Sequence, residues 1–140
     1  MRGRTLSVVV SGSFRKHLLG IQETIRRFES LGIEVLSPKH ARPLNSDDAF
    51  VFLETDDVRD PRVLEHRHLE AIRSADALYI FNPDGYIGSS VAMELGWTLA
   101  LGKRVFASAI ATDVTLKNFA CMVAAPEQVK DALTVVPPSE

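Results

Sequence analysis

The sequence predicts an α/β fold: a single doubly wound domain over residues 1–140, with a five-stranded parallel sheet and helices on both faces. Two observations carry this. Short β-branched runs alternate with segments of helical periodicity along most of the chain, the pattern of strands joined by covering helices. The first strand, helix and strand fall within residues 6–36, the span of a βαβ unit, which implies a parallel pair and a right-handed crossover.

Taken in order, Leu6 to Val10 is a short run with three consecutive valines that ends at Ser11-Gly12-Ser13, a buried strand entering a turn. Leu18, Leu19, Ile21, Ile25, Phe28 and Leu31 then recur at helical spacing, and Gly32 stops the helix. Ile33 to Leu36 is the second strand. From Ser37 to Asp60 the periodicity is lost among prolines and acidic residues around one apolar patch, Ala49 to Leu53. A stretch this long without regular structure belongs to function more often than to scaffolding. Asp60-Pro61 reads as an N-cap and a first-turn proline, and Val63, Leu64, His68, Leu69 and Ile72 give the next helix its inner face. Asp76 to Phe81 is the third strand. A Pro/Gly turn and a helix to about Gly102 follow, then a fourth strand over Lys103 to Ser108. A short helix within Thr112 to Ala120, a fifth strand over Cys121 to Ala125, a last helix from Pro126 to Leu133 and a polar tail past Pro137-Pro138 complete the chain. The order is that of a flavodoxin/Rossmann-like sheet. In such sheets ligands bind beyond the carboxyl ends of the strands, where the first and third diverge.

Composition excludes several classes. With 46% hydrophobic and 24% charged residues and a net charge of -2, the chain has globular composition and no polyanion-binding surface, so a nucleic acid polymer is not an expected partner. No apolar run reaches the roughly 18 residues a membrane span needs, and the amino-terminal run is too short for a signal-peptide core. A lone cysteine, Cys121, rules out an internal disulfide, and a cytoplasmic protein is the simplest expectation. No convincing metal-ligand set accompanies His66 and His68, and neither a dinucleotide fingerprint nor a P-loop occurs; no metal and no cofactor are expected.

The residue that demands an explanation is Glu94, the only charge in its helix before Lys103. An ionised carboxylate in so apolar a helix is expensive unless it is paired, hydrogen-bonded or open to a cleft. Ser90, Glu94 and Thr98 lie four apart and make the one polar stripe. Apolar residues around the rest of the helix imply cover on more than the sheet side, hence a homodimer or higher homo-oligomer. Gly88, Ser89 and Ser90 at the helix start offer free N–H groups and hydroxyls suited to a phosphate or sugar hydroxyl; simple N-capping would use the same residues. The loop Ser11 to His17 is the other candidate, and its Gly12, Ser13, Phe14 and Arg15 form a second wall, where glycine permits close approach and Arg15 suits an anion or a base edge. A tight turn with solvated basic side chains would read the same way. Asp56-Asp57 reads as solvated loop, with a second catalytic carboxylate as the alternative that the position of the loop leaves open.

These features together resemble the nucleoside 2-deoxyribosyltransferase family. The resemblance rests on Gly12-Ser13-Phe14-Arg15 after the first strand, Ala75-Asp76 before the third, the glycine/serine turn, Glu94-Leu95-Gly96, and Gly102-Lys103 downstream. The first loop is most similar to the 2'-deoxynucleoside 5'-phosphate N-hydrolase branch. The resemblance implies that Glu94 is a nucleophile that attacks the anomeric carbon, displaces the base and forms a glycosyl-enzyme, ionised by hydrogen bonds near a helix start. It also implies 5'-phosphate contacts at Ser89 and Ser90, and sites near subunit contacts. Three positions depart from the family pattern. His68 stands where an aspartate usually assists the leaving base, Gly88 stands where the transferases carry a second aspartate, and a tyrosine common on the first strand is absent. An imidazole at position 68 suits protonation of a leaving base, although a surface histidine on that helix would look the same.

The expected activity is therefore cleavage or transfer at the N-glycosidic bond of a (deoxy)nucleoside or nucleoside 5'-monophosphate, with hydrolysis preferred over transfer. A non-catalytic nucleotide-binding module on the same fold is the alternative, motivated by the missing aspartates.

Overall fold

A computed structural model describes residues 4–38, 60–119 and 122–135. The Ala49 to Leu53 patch, Asp56-Asp57, Cys121 and the Pro137-Pro138 tail lie outside the described residues. The elements are β1 (Ser7–Gly12), α1 (Phe14–Ser30), β2 (Glu34–Ser37), α2 (Pro61–Ser74), β3 (Ala77–Phe81), α3 (Ser89–Ala100), β4 (Arg104–Ala107), a 3-10 turn (Leu116–Asn118), β5 (Met122–Val123) and α4 (Pro126–Thr134). The strands form one sheet in the order β2-β1-β3-β4-β5, and every pairing is parallel. The chain steps outward from β1 to β2 and returns to β3 on the other side of β1. That reversal leaves a crevice at the carboxyl ends of β1 and β3.

Side-chain alternation sorts the core into two halves. Val8, Val10, Ala77, Tyr79 and Phe106 face Ile21, Ile25 and Phe28 of α1 and Val129 of α4. Val9, Leu78, Ile80, Val105 and Ala107 face Ile72 of α2 and Val91 and Leu95 of α3. Fully burying a side chain of this size contributes roughly 1.5–3 kcal/mol, so both faces are firmly held. Ser11 falls in phase with Val9 and is therefore directed toward α2 and α3. It is buried, at 2% exposure.

Local chemistry sets the helix ends. Asp60 accepts from the Arg62 N–H at 3.0 Å ahead of Pro61, as an N-cap does. α1 stops at Gly32, whose φ of 80° is open to glycine, and the Ile33 N–H closes the end on the Phe28 carbonyl at 3.0 Å. The α1 start differs from expectation: β1 runs through Gly12 and the helix opens at Phe14, so Arg15, Lys16 and His17 lie in a helical first turn, not an open loop. His17 departs from helical geometry, with φ -135° and ψ 30°. Its ring meets Asp84 at 3.1 Å and the edge of Phe81, contacts that hold it out of the regular helix.

The β1–β2 register shifts after Val8, so that Val9 pairs with Ser37 and Leu36 is left over. Such a bulge turns the next side chain to the opposite face. Leu36 packs on the α2/α3 side, and strict alternation would send Ser37 to the α1 side. The bulge brings it back to the face that Ser11 occupies.

Gly12 lies where β1 and β3 approach closely. A Cβ there would stand 2.8 Å from the Phe81 carbonyl oxygen and 3.0 Å from Ile21 Cδ1. The carbonyl belongs to the strand paired with Gly12 and has little room to yield. Gly12→Ala is expected to cost about 1–3 kcal/mol by overpacking, seen as a lower urea midpoint with an unchanged denaturant slope. A midpoint equal to that of the parent would contradict this reading of the crevice wall.

Among the described residues no helix is long and apolar enough to cross a membrane.

Candidate active site

Glu94 is 5% exposed. The face of α3 that packs inward carries Val91, Glu94, Leu95 and Thr98. Ser90 sits on the flank of that face and is exposed, while Met93, Gly96 and Ala100 are exposed on the far side. The stripe expected to join Ser90, Glu94 and Thr98 is thus split, because 3.6 residues per turn carries positions four apart around the helix by about 40° per step.

Two elements, β1 and α2, bring side chains to the Glu94 carboxylate of α3, and a third, β2, reaches it through His68. Ser11 at the end of β1 donates its Oγ–H to Glu94 Oε1 at 2.6 Å. His68 of α2 places Nε2 3.5 Å from the same oxygen and 3.2 Å from Ser11 Oγ. Because the Ser11 proton is committed to Glu94, the serine oxygen accepts from His68, so Nε2 carries hydrogen. The other ring nitrogen, Nδ1, lies 2.6 Å from Ser37 Oγ. The Ser37 hydroxyl donates to the neutral ring and accepts from the charged one, so it serves both protonation states. Glu65 stands one turn before His68 on α2, and its carboxyl reaches Glu94 as well.

Burial pushes the Glu94 carboxyl up, but the charge of His68 and hydrogen bonds from His68, Glu65 and Ser11 outweigh it and hold Glu94 below the usual glutamate range. Glu65 moves the other way: burial first, then the hydrogen bond and charge of Glu94, push it up to about 9. The family resemblance implies an ionised Glu94 held by hydrogen bonds near a helix start. The groups that ionise it are side chains on β1 and α2.

The other sequence candidates occupy two walls. Gly12 ends β1 against Phe81. Ser13 caps α1, accepting from the Lys16 N–H at 3.2 Å. Phe14 packs against the core on the α1/α4 side, away from the face that Ser11 occupies, and Arg15 is exposed in the first turn of α1. Gly88 is the N-cap of α3 and makes no side-chain cap bond; Ser89 and Ser90 follow, both exposed, with no acidic residue in that turn. Asp84 ties the walls together. It accepts from the Tyr86 N–H at 3.1 Å and pairs with Lys16 at 3.2 Å and His17 at 3.1 Å. The Tyr86 amide bond, with help from Lys16 and His17, pushes it down to about 2. Lys16 also sits over the Tyr86 ring, 4.1 Å from its centre. Below, buried Asn82 joins the ends of β3 and β4, donating to the Ala109 carbonyl at 3.0 Å and accepting from the Ala109 N–H at 3.1 Å.

Ser37 and Glu65 have no place among the candidates read from sequence, and Ser11 enters only as the first residue of the Ser11 to His17 stretch, without a role of its own. For Ser11 the signal was its phase with Val9, and for Glu65 its spacing of three from His68 on one helix. Ser37 gave none, since its direction depends on the bulge. Among the described residues no group of three or more His, Cys, Asp or Glu is arranged to hold a metal ion.

No family model matches the chain, and no curated protein matches it. Among solved structures it is similar to a CMP N-glycosidase of Clostridium botulinum, BcmB, with a TM-score of 0.52 and 18% identity over 90% of this chain and 96% of that one. At that identity the likeness shows the fold: the α/β sheet with helices on both faces is shared along nearly the whole length of both chains.

Proposed function

We propose that this protein is an enzyme that hydrolyses the N-glycosidic bond of a (deoxy)nucleoside 5'-monophosphate, with Glu94 as nucleophile. The observation that carries the reading is a buried glutamate held in its ionised form at the crevice of the sheet by Ser11, His68 and Glu65. An anion held in this way suits attack on a carbon of developing positive charge. The similarity to a CMP N-glycosidase supports the same reading.

In the first step a Glu94 oxygen attacks the anomeric carbon and the bond from that carbon to the base nitrogen breaks, its electron pair leaving with the base. The imidazolium of His68 gives its proton to the departing base. In the second step His68, now neutral, takes a proton from water, whose oxygen attacks the same carbon and displaces Glu94 as a carboxylate. The products are the free base and the sugar phosphate, and the enzyme is returned unchanged.

Hydrolysis of a monophosphate is favoured over base transfer by the charge around the crevice. The start of α3 presents uncapped N–H groups with Ser89 and Ser90, a favourable setting for an anion, and Arg15 is exposed in the first turn of α1. Gly88 supplies no carboxylate where the transferases carry one.

The test is to incubate the protein with a panel of nucleosides and 5'-monophosphates, with and without an acceptor base, and to follow free base. Release from a monophosphate without acceptor is expected. Binding by calorimetry with no release from any substrate would replace the enzyme with a nucleotide-binding module.

A further inference from the structure

Glu65 has no part in the steps above, yet it is the residue whose environment makes least sense as an ordinary carboxylate. It lies on α2 one turn before His68, its carboxyl reaches Glu94, and its Oε2 is buried with no hydrogen-bond partner among the described residues. Two carboxylate oxygens only accept, so they cannot bond to one another until one of them holds a proton. Like charges this close do not both persist. The proton goes to the member with fewer donors. Glu94 already receives Ser11 and faces His68, so the charge settles on Glu94 and the hydrogen on Glu65.

We propose that Glu65 is a positioning residue that works as a neutral carboxylic acid, donating a hydrogen bond to Glu94 and keeping the pair at a single negative charge carried by the nucleophile. This deepens the proposed function and rests on it for the role of Glu94, but not for the shared proton. The opposite displacements of the two carboxyls, Glu65 up to about 9 and Glu94 down, agree with it. Among the described residues the groups around the pair are His68 from α2 itself, Ser11 from β1, and Ser37 from β2 acting through His68. As pH rises through the Glu65 range, Glu65 loses its proton. The donor becomes a second anion beside the nucleophile, and the geometry of Glu94 is lost on the alkaline side.

Two measurements test this, the first without substrate. Isotope-edited NMR of the glutamate carboxyls is expected to show one group titrating far above the ordinary glutamate range. That signal should vanish in Glu65→Gln and fall toward the ordinary range in Glu94→Gln, where the neighbouring charge is gone. No carboxyl titrating above neutral pH, or one that persists in Glu65→Gln, overturns the proposal whether or not the protein is an enzyme. The second is the pH profile of base release. Glu65→Ala is expected to lower kcat roughly ten- to hundredfold, the worth of a hydrogen bond to a charged group, with a smaller change in KM. Glu65→Gln keeps an N–H donor and never ionises, so it should recover part of that loss and lack the alkaline fall of the parent. An alkaline limb unchanged in Glu65→Gln would overturn the role in positioning.

Discussion

Glu94→Gln is expected to stop base release, lowering kcat by a factor on the order of 10⁴ or more, as removal of a covalent nucleophile does, while the protein melts no lower than the parent. The two halves of this result have one cause. In the folded chain the Glu94 carboxylate lies at 5% exposure beside Glu65, whose carboxyl burial and the Glu94 charge push up to about 9, so at neutral pH the pair costs stability through Glu65. The glutamine amide has the same shape, still accepts from Ser11, and removes the buried charge. Glu94→Ala is the contrasting case, because it strands the Ser11 hydroxyl and the Glu65 acid without an acceptor; activity and melting temperature should fall together. Glu94→Asp keeps the charge but draws it back by one methylene from Ser11 and from the reacting carbon, and the misplacement alone is worth roughly a hundredfold. Measured kcat beside the thermal midpoint separates these outcomes. Full release by Glu94→Gln would remove the nucleophile from the mechanism.

His68→Ala carries the second largest effect, through two losses. In the proposed mechanism the proton for the departing base disappears, worth about 10²–10⁴ in rate for general acid catalysis. The charge that opposes burial at Glu94 disappears with it. Burial then acts with less opposition and the Glu94 carboxyl rises. In the proposed mechanism Glu94 attacks as an anion, so the acidic limb of the kcat/KM profile should move to higher pH. The two losses are separable by the choice of leaving group. A nitrophenyl deoxyriboside, whose phenolate departs without a proton, should lose far less rate in His68→Ala than the natural base does, and should remain fully dependent on Glu94. An equal loss with both leaving groups, or an acidic limb that stays in place, would show His68 to be a packing residue.

Much of the framework was legible because it follows from patterns of short range. The valines of β1, the helical spacing ended by Gly32, and the Asp60-Pro61 start each express a periodicity or a cap within a few residues. Their alternation gave the sheet. The site was legible in one respect only, that a charge as isolated as Glu94 needs partners. Arg15 to His17 read as an open loop, since nothing local announced that the Ser13 hydroxyl would cap a helix opening at Phe14. Ser90 read as a companion of Glu94, because a spacing of four does not reveal which side of the stripe will face the core.

By itself, then, the sequence determined the α/β class, the order of the elements and the anomaly of Glu94, all of which follow from local periodicity and from the cost of burying a charge. Tertiary structure alone decided which groups meet that charge. Ser37 reaches His68 only through the slipped register between β1 and β2. Glu65 meets Glu94 only because α2 and α3 pack on the same face of the sheet. Register and helix packing join residues far apart in the chain, and no window of sequence contains both partners.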